Sequence, residues 1–126
     1  MDGWNAVHDA PVTPDPSWHG GAIRVHMSPA LMAFRAQQPD VNVKPAMPGV
    51  MAVKEFYDDA NNVVGSSVIY YPDGTLAYYY CYGPAERCYG GSPETTMDAP
   101  IWGDENASEV SNCRICHGGK IFTELP

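Results

Sequence analysis

Five residues near the end of the chain, Cys113-Arg114-Ile115-Cys116-His117, constrain it more than any other stretch. Two thiols three positions apart, with a histidine directly after the second, have the spacing of c-type haem attachment. The spacing has a chemical cause. On one helical turn both sulfurs reach the two vinyl carbons on one side of a porphyrin, and the next residue swings its imidazole under the iron as axial ligand. Cys113 and Cys116 are therefore expected to become thioethers of a single haem c, with His117 on the iron. The same residues can also be read as a dithiol redox pair or as half of a zinc site. A zinc site needs two more ligands, and the other cysteines, Cys81 and Cys88, stand seven apart, which is poor zinc spacing.

At 126 residues the chain is expected to form one domain, with 44% hydrophobic residues to build its core. A chain of this size is helped by a cofactor or a staple. Twelve glycines and twelve prolines predict many turns and little long helix. The net charge is -8 and the seven Lys and Arg form no run, so nucleic acid is not the expected partner. No apolar stretch reaches the roughly 18 residues of a membrane span. The first residues lack the basic start and apolar run of an export signal. Thioether attachment nevertheless takes place outside the cytoplasmic membrane, so the expected location is periplasmic or otherwise exported, with the signal absent from this sequence. That compartment is oxidising, and Cys81 and Cys88 are expected to pair there as a staple.

Taken in order, residues 1–21 read as an irregular arm, with Pro11, Pro14, Pro16 and Gly20-Gly21. The arm is ordered only if Trp4 or Trp18 docks. His8 and His19 lie in it and read as surface residues. Residues 22–126 read as the domain proper. Ala22 to Met27 alternates, with Ile23, Val25 and Met27 on one face and Arg24 and His26 on the other. Ser28-Pro29 supplies an N-cap and a first-turn proline for a short helix to Gln38. Val50 to Asp58 is a second strand, in which Ala52, Lys54 and Phe56 share a face. A polar turn from Asp58 to Asn62 leads to a third strand, Val63 to Tyr71. After a turn at Pro72-Asp73-Gly74 comes a fourth, Leu76 to Tyr82, and these last three strands form an antiparallel meander. Residues 83–107 read mostly as loop and Ser108 to Cys116 as a helical turn ended by Gly118-Gly119. Ile121 and Phe122 are expected to start a short strand or to pack near the haem. The expected class is α+β: mainly antiparallel sheet, a few short helices, and the haem motif at the C-terminal end.

That order, strands first and attachment motif last, is unlike most small helical cytochromes c. Three segments carry a resemblance to another family: Ile23-Arg24-Val25-His26-Met27 with Ser28-Pro29, then Pro48-Gly49-Val50-Met51-Ala52-Val53-Lys54-Glu55, then Cys113 to His117 with Ile121-Phe122-Thr123. From about Arg24 to Pro126 the chain resembles the cytochrome P-460 family of β-rich mono-haem c-type cytochromes. The resemblance implies that Lys54 is joined through its side-chain nitrogen to the porphyrin rim and that Arg24 lies in the distal pocket. It implies an iron face opposite His117 open to a small ligand, and oxidation of hydroxylamine or a similar small nitrogen compound. An external redox partner such as a cytochrome would take the electrons, and the resemblance implies a homodimer. A related branch, the cytochromes c-prime-beta, lacks the lysine link and binds gases such as nitric oxide.

Residue chemistry is compatible with these roles. A lysine against an apolar face has its charged form disfavoured, and a neutral amine is the form that bonds to a macrocycle. The alternative for Lys54 is a snorkelling lysine paired with an acid. For Arg24 the alternatives are a salt bridge or a haem propionate, and His26 shares its face. One departure concerns proton transfer. Hydroxylamine-oxidising members carry a distal carboxylate downstream of the lysine, whereas Val63 to Tyr71 contains no Asp or Glu, and Tyr70 or Tyr71 takes that place. A missing base slows a reaction that releases protons. Gas binding without turnover and simple electron transfer therefore stay beside the enzyme reading. For electron transfer, Met27, Met47 and Met51 are the nominal sixth ligands. The tyrosines at 78, 79, 80 and 82 read as packing.

Overall fold

Alternating apolar residues form the first long strand, and each later strand folds back beside its predecessor. The computed structural model describes residues 3–13, 21–40, 47–71, 76–82 and 101–104, with Cys113, His117 and Ile121. Its elements are β1 (Asn5–Ala6), β2 (Ala22–Met27), α1 (Pro29–Gln37), β3 (Val50–Tyr57), β4 (Val63–Tyr71), β5 (Ala77–Tyr82) and β6 (Ile101–Asp104). The six strands make one sheet in chain order, every neighbouring pair antiparallel. With one short helix among the described residues, the fold is α+β and mainly antiparallel sheet.

The expected meander is present, and it is longer than expected at both ends. The N-terminal arm is not wholly irregular. Asn5 pairs with Met27 and Ala6 with His26, and a bridge joins Val12 to Ile23. The open edge of β2 supplies the hydrogen bonds, including Val7 N–H to Val25 O at 2.8 Å. Ile101–Asp104, expected as loop, pairs with Ala77 to Tyr80 on the other edge. The expected turn at Pro72-Asp73-Gly74, the loop from 83 to 100, Gly118-Gly119, Phe122, Trp18 and His19 lie outside the described residues.

Local chemistry explains the junctions. Ser28 caps α1, its Oγ accepting from Leu31 N–H at 3.2 Å, with Pro29 in the first turn. The same Oγ donates to Gly49 O and accepts from Met51 N–H, each at 3.0 Å. One buried hydroxyl thus ties the end of β2, the start of α1 and the start of β3 together, and losing a cap of this kind costs about 1 kcal/mol. Gly49 enters β3 at φ 85°, a left-handed conformation that side chains disfavour. At the β3–β4 turn, Asp58 accepts from Ala60 N–H and Asn62 N–H, each at 2.9 Å.

Register sorts the side chains into two faces. On one face lie Ile23, Val25 and Met27 of β2, then Val50, Ala52, Lys54 and Phe56 of β3, then Ser67, Ile69 and Tyr71 of β4, then Tyr78 and Tyr80 of β5. Leu31 of α1 and Ile121 pack on this face with Met27, Val50, Ala52 and Leu76. A second apolar cluster, Ile23, Val25 and Phe56, forms farther along the same face, and Val7 of the arm packs against both. This is the main core face. Burying side chains such as Leu31, Val50 and Leu76 stabilises by about 1.5–3 kcal/mol each.

Candidate functional site

Lys54 sits at the seam between the two clusters. Ala52, two residues before it, belongs to one, and Phe56, two residues after it, belongs to the other. Across the ladders it faces Val25 on β2 and Ser67 on β4. Among the described residues its side chain makes no hydrogen bond or ion pair. Burial pushes its amine below the ordinary lysine value of 10.5, because desolvation disfavours the charged form. The acid-paired alternative therefore finds no acid among the described residues. Glu55, the next residue, points to the other face.

The C-terminal motif comes to the same side. His117 is buried, and its ring lies 6.0 Å from the ring of Tyr78, tilted by 48°. Tyr78 is on the core face in register with Ile69 and Ala52. Cys113 is partly buried, and Cys113 and His117 both have helical backbone. Arg114 to Cys116 lie outside the described residues. Ile121 follows into the core beside Leu31 and Leu76. From β3 to β5, two strands across and one residue pair along, the backbone separation between Lys54 and Tyr78 is about 12 Å. Lys54 and His117 thus share one side of the sheet, separated by side chains of the core.

Arg24 is not brought to that side. The register pairs Arg24 with Glu55 and Val25 with Lys54, so the arginine and the lysine lie on opposite faces. Arg24, for which the resemblance implies a place in the distal pocket, thus lies on the face opposite the one that carries Lys54. Arg24 Nε donates instead to His8 O at 3.1 Å, clamping the arm. His26 also lies on this second face, where its Nε2 donates to Glu55 Oε1 at 2.6 Å. Tyr57 OH donates to the same oxygen at 3.3 Å. The Tyr57 phenol is pushed up first by burial and then by the Glu55 carboxylate, with Arg24 pulling the other way.

Other candidates separate in the same manner. Tyr71 is on the core face and packs against Met27 and Leu31's cluster, whereas Tyr70 pairs with Met51 on the second face. Met27 is a core side chain, 9% exposed, accepting from Arg35 Nη1 at 3.8 Å. Met47 packs at the edge of that core. No carboxylate occupies the core face among the described strand residues 22–27, 50–57, 63–71 and 77–81. Cys81 is 1% exposed and disulfide-bonded. Its partner, like Cys88 and Cys116 themselves, lies outside the described residues. Two residues escaped the reading of the sequence. Counting pairs back from the Asp58–Asn62 turn would put Ser66 opposite Lys54, and the register shift between Phe56 and Tyr57 brings Ser67 there instead; Tyr78 beside His117 has no local signal within a run of tyrosines.

No family model, curated protein or solved structure matches this chain.

Proposed function

We propose that the chain is an exported c-type haem protein that oxidises hydroxylamine or a similar small nitrogen compound. The observation that carries the reading is Lys54: an amine without an acidic partner among the described residues, on the apolar side of the sheet that His117 also faces. The donor types fit the group. Cys113 and Cys116 would hold the haem through thioethers, and the buried imidazole of His117 would be its axial ligand. When bound, such a haem supplies an iron that takes a small nitrogen ligand and passes its electrons to an external acceptor such as another cytochrome. Lys54 would be the amine for attachment to the porphyrin rim, and its lowered pKa makes the neutral form easier to reach than for an ordinary lysine. The apolar side chains on either side, Val25, Ala52 and Phe56, reduce its hydration and so disfavour its charged form. Cys81 with Cys88 would staple the chain after β5, and a homodimer is the expected assembly.

A second reading, gas binding without turnover, is favoured by one observation: the core face carries no carboxylate among its described residues to take protons from a substrate. Two spectra and one assay separate these readings. The enzyme reading expects an unusual, red-shifted haem spectrum, a return towards an ordinary c-type spectrum in Lys54→Ala, and hydroxylamine-dependent reduction of an added acceptor that the variant loses. An ordinary wild-type spectrum with nitric oxide binding and no turnover replaces it with the gas-binding reading. A low-spin, six-coordinate iron with a methionine ligand replaces both with electron transfer.

A further inference from the structure

We propose that Tyr78 is a positioning residue for His117, fixing the plane of its imidazole. The proposal rests on the reading of His117 as an axial haem ligand. Tyr78 is 2% exposed and is the largest of the fully buried side chains among the described residues. Its backbone is held on both sides, by Ile69 of β4 and by Gly103 of β6, so its ring cannot follow a neighbour that moves. The ring meets the His117 imidazole at 6.0 Å and 48°, inside the range of tilted aromatic pairs. An imidazole on iron is free to turn about its own side-chain bond unless something beside it blocks the rotation. Outer-shell partners that orient a ligating histidine commonly change metal affinity or activity when removed. Here the orienting element is a flat, buried ring on a strand paired on both sides.

The consequence is specific to the ring rather than to its hydroxyl. Tyr78→Phe keeps the flat neighbour, while Tyr78→Leu removes it. The test compares the haem-loaded wild type with both variants by resonance Raman of the ferrous form, following the iron–imidazole stretching band, and by titration with nitric oxide. Tyr78→Leu is expected to shift or broaden the band and to weaken nitric oxide binding about tenfold, while haem stays covalently attached. Tyr78→Phe is expected to keep both properties of the wild type. If Tyr78→Leu does not fold, the phenylalanine variant still decides: a band displaced in Tyr78→Phe overturns the ring-based role. A folded Tyr78→Leu with an unchanged band overturns the inference alone. A wild type with no iron–imidazole band overturns the axial role of His117 and the inference with it.

Discussion

The two faces of the sheet treat their charged groups in opposite ways. On the second face Arg24, His26, Glu55 and Tyr57 are tied into one network, with donors and acceptors matched. On the core face the Lys54 side chain stands among apolar side chains with neither hydrogen bond nor ion pair among the described residues. The first arrangement is what a fold does to make polar groups tolerable where water is scarce. The second is destabilising in the chain by itself, and a group kept at a cost is a candidate for chemistry. The contrast also separates the two residues to which the resemblance to cytochromes P-460 gives roles. Lys54 lies on the core face, while Arg24 lies on the second face and clamps the N-terminal arm.

Breaking the satisfied network is expected to have the largest effect on stability. Glu55→Ala leaves His26 and Tyr57 without their shared acceptor in a setting where both side chains of the His26–Glu55 pair are under 15% exposed. The expected cost is about 1–3 kcal/mol in urea unfolding, with haem attachment unchanged. Loss of haem in this variant at retained fold would place the network in the site and erase the contrast.

Removing the lone amine is expected to act in the other direction. The folded-state value of Lys54 lies below its ordinary 10.5. Between that lowered value and 10.5 the unfolded chain holds a proton that the folded chain has shed, so stability rises with pH across this window. Below the window both states are charged and the folded state carries the full burial cost. Lys54→Met, expressed without haem attachment, is therefore expected to be more stable than the unaltered chain at low pH. A rise in Tm of a few degrees is what ~1 kcal/mol produces in a chain of this length. The advantage should narrow as pH approaches 10.5. A variant less stable than the parent at every pH would mean that the amine has a partner.

Much of this contrast was legible in the sequence. The alternation in Ala22–Met27 and Val50–Tyr57 already separates Arg24 from Val25 and groups Lys54 with Ala52 and Phe56. Register between strands was not legible, because a slip of one residue exchanges the faces. Only the pairing of Val25 with Lys54 shows that the arginine and the lysine look away from each other. The edge strands were hidden for a different reason. Asn5–Ala6 and Ile101–Asp104 are too short for a periodic pattern, and they become strands because β2 and β5 offer open backbone edges. The pairing of Tyr70 with Met51 and of Tyr71 with Val50 likewise settles which of the two tyrosines shares the face of Lys54.

The smallest expected effect lies far from either face. Asp58 is held below the usual carboxylate value, chiefly by the Asn62 backbone N–H, with Ala60 N–H also contributing. Its contribution to the turn is present above the ordinary 3.8 and is lost as pH falls through the lowered folded value. Asp58→Asn is expected to flatten the acid limb of the stability profile slightly and to leave haem spectra unchanged. An altered spectrum would couple the turn to the site.

The central claim, a haem covalently held by Cys113 and Cys116 with Lys54 turned towards it, is tested most directly by peptide mass analysis of the denatured, non-reduced protein. The account predicts a haem-bearing peptide containing Cys113 and Cys116, joined through the porphyrin to the peptide that contains Lys54, and a separate disulfide between Cys81 and Cys88. A haem-free Cys113–Cys116 peptide, or a disulfide joining Cys81 to Cys116, would contradict it.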